Sequence, residues 1–241
     1  MKRVIEKTDD GSATLFVPEL NEHYHSIKGA RTESQHIFIH MGLEASDMPS
    51  PRILEIGFGT GLNAWLTLEE AERNHRNIHY TGLELYPLEW SIIEQLGYIK
   101  DSEQLTINNQ PVTAIELFKQ LHISPWEEEV CLSPHFTLRK VQADFNEWIF
   151  HSLPDSPDIV YFDAFAPEKQ PEMWSQELFN RLYVLLSNDG ILTTYCAKGV
   201  IRRMLQAAGF TVERLPGPPG GKREILRARK LEQNQPPILI Q

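Results

Sequence analysis

The sequence predicts an α/β fold, an open and mostly parallel sheet with helices on both faces. Three observations carry this expectation. From residue 52 onward, short apolar runs alternate with helix-patterned stretches. The first run, Ile53 to Ile56, ends in the alternate glycines Gly57, Gly59 and Gly61, and a helix-prone stretch from Leu62 to Leu68 follows. Acidic residues (Glu84, Asp144 and Asp163) stand at the ends of later runs, and ligands of such sheets bind beyond the carboxyl ends of the strands.

The glycine turn is the most informative stretch. Glycine is required where the backbone takes positive φ or approaches a ligand closely. The helix behind the turn presents unpaired N–H groups and a positive dipole end. A dinucleotide fingerprint would place its third glycine at residue 62, which is Leu62. The G-x-G-x-G form, with Glu55 two residues ahead, instead resembles motif I of S-adenosylmethionine-dependent methyltransferases. An acidic neighbour suits that cofactor, a cation with a free ammonium and no phosphate. A nicotinamide-dependent oxidoreductase is therefore the weaker alternative.

Residues 1–45 read as an N-terminal extension packed on the main unit. Ala13 to Val17 is a strand, Pro18 to Glu22 a turn region, and Gln35 to Leu43 a helix presenting Ile37, Phe38 and Met41. His23 and His25, and His36 and His40, have spacings that could serve a metal, but no cysteine or matched carboxylate supports one; no metal is expected. Residues 46–230 form the main domain. Ile78 to Leu85 is its second strand, with Glu84 at its end and 23 positions beyond Gly61, the spacing at which an acidic residue takes ribose hydroxyls. Leu88 to Leu96 is a helix. Residues 101–135, with a helix at Ala114 to Leu121, read as an insertion beside the sheet. Phe136 to Gln142 is the third strand; Asp144 beyond it suits either an adenine amino group or an N-cap for a helix from Asn146 to His151. Asp158 to Phe165 is the fourth strand, Met173 to Leu186 a helix with Trp174, Leu178, Leu182 and Leu185 on one face, and Gly190 to Ala197 the fifth strand. Val200 to Ala208 is a helix closed by Gly209, Thr211 to Leu215 and Arg223 to Arg229 are the last strands, and residues 231–241 are a C-terminal tail.

Asp163-Ala-Phe165-Ala-Pro167 closes the strand that flanks the glycine turn. An amine substrate with a lysine-like pKa of roughly 10 would arrive protonated, and Asp163 could take its proton; capping is the competing role. Phe165 could stack on a base or pack in the core. Methyl transfer otherwise needs alignment and exclusion of water. No Gly-Lys-[Ser/Thr] phosphate loop is present.

Composition sets outer limits. The 241 residues are 41% apolar with a net charge of −10, which disfavours indiscriminate nucleic-acid binding. No apolar run approaches the roughly 20 residues of a membrane span, and the first residues lack a signal core, so no membrane and a cytoplasmic location are expected. Cys131 and Cys196 form no disulfide framework. The charge is uneven: residues 198–230 carry +7 and the remainder −17. A basic patch on an acidic protein can still hold phosphates.

At this point the chain resembles the methyltransferase half of the bifunctional MnmC tRNA-modification family. The matching blocks are Glu33-Ser34, Glu55-Ile-Gly-Phe-Gly-Thr-Gly-Leu-Asn63, Glu84 with Pro87, Asp144, Asp163 through Trp174, Thr193 through Arg203, and Gly220 through Glu224. The resemblance implies a class I S-adenosylmethionine-dependent methyltransferase (Rossmann-like) fold with a seven-stranded sheet whose final strand is antiparallel. It implies S-adenosyl-L-methionine as cofactor, held by Glu55, Gly57, Gly59, Gly61, Asn63, Glu84, Asp144 and Asp163. Asp163 and Phe165 become the catalytic candidates. The expected reaction is N-methylation of 5-aminomethyl-(2-thio)uridine at the wobble position of tRNA. Lys198, Arg202, Arg203, Lys222 and Arg223 would hold the anticodon region, with the base extruded into the pocket. With no second glycine fingerprint, the chain reads as the stand-alone form, served by a separate flavin-dependent oxidase upstream. Leu85 stands where the family often has Lys. Methylation of a small-molecule or protein amine, or an inactive tRNA-binding module, are the other readings.

Overall fold

The computed structural model describes residues 2–9, 11–100, 102–148 and 155–231. An antiparallel sheet of β1 (Val4–Lys7), β2 (Ala13–Val17) and β3 (Glu22–His23) opens the chain. Helix α1 (Ala30–Ser34) follows and widens into a π-helix, Gln35–His40, with Met41 N–H donating to His36 O at 3.1 Å. The lead helix thus begins earlier than its apolar pattern suggested. Its buried face is Ile37, Phe38 and Ile39.

The main sheet contains β4 (Arg52–Ile56), β5 (Ile78–Glu84), β8 (Glu129–Ser133), β9 (Phe136–Gln142), β10 (Ile159–Phe162), β11 (Ile191–Thr194), β12 (Thr211–Pro216) and β13 (Glu224–Arg229). Their spatial order is β12-β13-β11-β10-β4-β5-β9-β8. The five central strands run parallel, and β13 is antiparallel to both β11 and β12. The sheet has eight strands rather than seven. The additional one, β8, comes from the segment read as an insertion; it pairs antiparallel with β9 and covers that strand's free edge. The same segment supplies the small hairpin of β6 (Gln104–Ile107) and β7 (Gln110–Thr113) and helix α4 (Ala114–Ile123).

Helix α2 (Leu62–Asn74) starts directly after the glycine turn. The expected helix at Leu88 to Leu96 is one α-turn, α3 (Trp90–Ile93), continued by a 3-10 turn. The expected helix from Met173 is interrupted at Ser175: a 3-10 turn, Pro171–Trp174, precedes α5 (Gln176–Leu185). Ser175 caps α5 by accepting from Leu178 N–H at 3.2 Å. Trp174, Leu178 and Leu182 are buried as their spacing required. Helix α6 (Gly199–Ala208) ends at Gly209 with φ 114°. The expected helix from Asn146 to His151 falls partly outside the described residues, as does all of the tail beyond Leu231.

Apolar side chains fill both faces of the sheet. Ile53, Trp65, Tyr80, Phe118, Phe136 and Tyr161 lie in one cluster; Leu54, Ile56, Phe162, Trp174 and Phe179 lie in the other. Neighbouring residues of β4 therefore enter opposite layers, and this explains why the central strands read as continuous apolar runs.

Candidate active site

The carboxyl ends of β4, β5, β9 and β10 open into a cavity of about 940 Å³. Gly57, Gly59 and Gly61 have φ of 90°, 49° and 69°. A Cβ at Gly57 would lie 2.7 Å from Asp163 O, so the turn passes against the end of β10 only because that side chain is absent. Gly59 N–H donates to Glu84 Oε2, and Tyr86 N–H to Glu84 Oε1, each at 2.8 Å. Glu84 is thus clamped beside the turn, and each oxygen keeps further acceptor capacity.

Behind the turn, Asn63 projects from the first turn of α2. Its Nδ2 donates to Glu55 Oε1 and to Asp163 Oδ2, both at 2.8 Å. One amide therefore ties the middle of β4 to the end of β10. Glu55 is fully buried and set back from the cavity surface, and burial holds its carboxyl well above the usual range. It sits beneath the site and reaches it through Asn63. Asp163 lines the cavity; burial pushes its carboxyl up to about 7, against the Asn63 hydrogen bond that pulls it down.

Asp144 also lines the cavity, and its Oδ1 accepts from Asn146 N–H at 2.8 Å. A local turn thus employs one oxygen of a residue that still lines the cavity. Phe165 lines the cavity and meets the edge of Tyr24 at 5.1 Å between ring centres; its carbonyl accepts from Trp174 Nε1 at 2.7 Å. Gly61 is set back from the surface, where it N-caps α2 against the ring of His122.

The basic residues divide. Lys198, Lys222 and Arg223 line the cavity, whereas Arg202 and Arg203 lie off its wall on α6. Lys198 pairs with Glu168 and Lys222 with Glu33. Much of the remaining positive charge is spent within the terminal hairpin: Glu213 Oε2 receives Arg227 Nε at 2.7 Å and Arg229 Nε at 3.3 Å, and Glu224 pairs with Arg214. The excess of charge in residues 198–230 is therefore larger in sequence than on the cavity rim.

Several cavity residues were missed as site candidates, chiefly from the N-terminal segment. Tyr24 packs over Gly59. His25 Nε2 lies 2.7 Å from Thr60 Oγ1 inside the glycine turn; burial lowers its pKa to about 4, so it is neutral. Glu33 and Tyr195 line the same wall. The spacing of His23 and His25 pointed only to a metal, Glu33 and Tyr195 entered only within the blocks Glu33-Ser34 and Thr193 through Arg203, and no local pattern marks Tyr24. Among the described residues, no group of three or more His, Cys, Asp or Glu is arranged to hold a metal ion, and no helix is long and apolar enough to cross a membrane.

The cavity's chemistry fits S-adenosyl-L-methionine. Its floor at the glycine turn offers acceptors, Glu84, Asp144 and Asp163. The Oδ1 of Asn63, buried at the cavity floor, has no hydrogen-bond partner among the described residues. Acceptors of this kind suit hydroxyls and an ammonium, not a pyrophosphate.

Comparison with known proteins agrees with the geometry. Residues 116–231 match a family described as S-adenosyl-L-methionine-dependent methyltransferase. The tRNA 5-methylaminomethyl-2-thiouridine biosynthesis bifunctional protein MnmC of Idiomarina loihiensis is 32% identical over 221 residues, 84% of this chain and 34% of that protein. The protein of the same description from Cupriavidus metallidurans is 29% identical over 95% of this chain and 35% of its own length. The chain thus spans about a third of the curated relatives it matches. The crystal structure of MNMC2 from Aquifex aeolicus superposes with a TM-score of 0.72 at 25% identity, covering 98% of this chain and 73% of that one. Motif, fold and family match make the chain a class I S-adenosyl-L-methionine-dependent methyltransferase. Within that class, nearly its whole length is similar to about a third of each MnmC protein and to the MNMC2 structure.

Proposed function

We propose that the protein transfers a methyl group to the amine nitrogen of 5-aminomethyl-(2-thio)uridine at the wobble position of tRNA, giving the 5-methylaminomethyl nucleoside. The observation that carries this reading is Asp163: a carboxyl at the cavity wall, held by Asn63 at 2.8 Å and tuned to about 7. A base with that proton affinity is matched to neutral pH. The resemblance to MnmC supports the choice of tRNA and of this nucleoside.

In this reading Glu84 receives ribose hydroxyls, Asp144 the adenine amino group, and Asn63 with the glycine turn the amino-acid end of the cofactor. Bound there, the cofactor supplies an electrophilic methyl on a sulfonium. Asp163 takes a proton from the incoming ammonium and so frees the nitrogen lone pair. Glu55 lies beneath and orients Asn63, while Tyr24 and Phe165 close the cavity against water. Lys198, Lys222 and Arg223 face the anticodon phosphates at the rim, and Arg202 and Arg203 extend the track along α6. A flavin-dependent oxidase acting earlier would supply the aminomethyl group, in the cytoplasm where tRNA is modified.

The test is methylation of tRNA from a strain lacking this gene, using labelled S-adenosylmethionine and nucleoside analysis. Label in 5-methylaminomethyl-(2-thio)uridine is expected. Label absent from the wobble uridine, with transfer to a small amine instead, would move the reading to a small-molecule methyltransferase.

A further inference from the structure

We propose that the acceptor amine is received between the Glu33 carboxylate and the face of Tyr195, where the Lys222 ammonium now rests, and that Lys222 is an internal stand-in which the substrate displaces. The proposal rests on the amine-methyltransferase reading above and deepens it.

Lys222 Nζ lies 4.6 Å from the centre of the Tyr195 ring and 2.5 Å from Glu33 Oε1. A carboxylate beside an aromatic face is a receptor for a cation. Both halves of the receptor are fixed independently of the lysine. Glu33 is 8% exposed, and its other oxygen accepts from Ser26 N–H at 2.8 Å. The Tyr195 hydroxyl donates to Ala164 O at 2.9 Å, one residue past Asp163. The lysine is the movable partner: it stands on the loop between β12 and β13 with its side chain 39% exposed.

Receptor, lysine and Asp163 all line one cavity. The Glu33 charge raises the Asp163 carboxyl and the Lys222 charge lowers it, so the three groups act on one another. A protonated aminomethyl arm resembles the end of a lysine side chain, a methylene carrying an ammonium. It would be recognised by the same carboxylate and ring, next to the proposed base. Entry of that arm expels Lys222 toward the rim, near Lys198 and Arg223, where an RNA phosphate can receive it. An amine attached to a polyanion thus provides a destination for the displaced charge, and a free amine does not. The receptor with its stand-in therefore selects RNA-borne amines.

The experiment measures equilibrium binding of two probes to the full chain in the presence of demethylated cofactor. One probe is the nucleoside 5-aminomethyluridine and the other is uncharged 5-hydroxymethyluridine. Lys222→Met should tighten the amino probe roughly tenfold by removing the competing cation, and leave the hydroxymethyl probe unchanged. Glu33→Gln and Tyr195→Leu should each weaken the amino probe about tenfold in the Lys222→Met background, again without effect on the hydroxymethyl probe. On tRNA, Lys222→Met should raise KM with little change in kcat. Circular dichroism melting checks that each variant is folded. Unchanged or weaker amino-probe binding in a folded Lys222→Met protein would overturn the proposal, as would a Glu33→Gln effect equal for both probes. Failure of the tRNA reading looks different: wild-type protein would leave tRNA unlabelled while the contrast between probes persisted.

Discussion

Asn63 is the side chain on which the proposed base depends most directly. Its single amide nitrogen donates to two carboxyls, the buried Glu55 and the half-buried Asp163, each at 2.8 Å. In Asn63→Ala both donors vanish. A hydrogen bond to a charged group contributes about 1.5–3 kcal/mol, and about 1.4 kcal/mol corresponds to one pKa unit. Asp163, already pushed up to about 7, should therefore rise by roughly one to two units. At pH 7 about half of the wild-type carboxyl is ionised; in the variant the fraction falls to somewhere between about one and ten per cent. Single-turnover methyl transfer should drop about five- to fifty-fold at pH 7 and recover most of that loss by pH 9.5. Cofactor must be saturating, and its affinity measured separately by calorimetry, because Asn63 also lines the cavity. The reasoning is refuted if the loss is the same at pH 6.5 and at pH 9.5, for then the missing amide has not acted through the protonation of Asp163.

Three further outcomes are expected. Asp163→Asn should stabilise the fold increasingly, relative to wild type, as pH climbs from about 4 to about 7. The wild-type carboxyl is favoured neutral in the folded state, and that advantage is lost as the pH approaches the folded value. His25, lowered to about 4, and His122, lowered to about 3, work in the opposite sense, losing stability as pH falls below about 6.5, so the difference in melting temperature between variant and wild type is the quantity to plot; a constant difference would count against burial as the cause. Gly57→Ala should abolish detectable cofactor binding by calorimetry, because φ is 90° and the new Cβ would lie 2.7 Å from Asp163 O; near-normal affinity would show that the turn is not where the cofactor rests. Lys198→Ala and Arg223→Ala should each flatten the dependence of tRNA binding on log salt by about 0.7–1 in slope, whereas Arg227→Ala should lower the melting temperature and leave the slope alone, since Arg227 is committed to Glu213.

What could be read from the chain itself follows from how local each feature is. The glycine turn, the acidic strand ends and the proline-closed end of β10 are short-range patterns, and they converge on one cavity. Glu55 was placed in the site by proximity in sequence, yet alternation along β4 turns it beneath the surface. The eighth strand was hidden because Glu129 to Ser133 is short, its three apolar residues Val130, Cys131 and Leu132 are consecutive rather than alternating, and its mixed exposure is that of an edge. Tyr24, His25, Glu33 and Tyr195 reach the cavity only through contacts spanning the length of the chain, such as Glu33 with Lys222. The charge excess of the last segment misled in a different way: Glu213 lies directly across from Arg227 in the hairpin register, so that pair cancels before it meets solvent.

The meeting of Glu33 and Lys222, 189 positions apart, bears on how the protein is made. During synthesis the glycine bend emerges early and can fold beside its neighbours. The wall opposite it belongs to the hairpin of β12 and β13, which leaves the ribosome well after it. A nascent chain therefore carries an unfinished chamber until that hairpin emerges, and a product aborted before it has no complete place to hold a reactive methyl donor against a stray nucleophile.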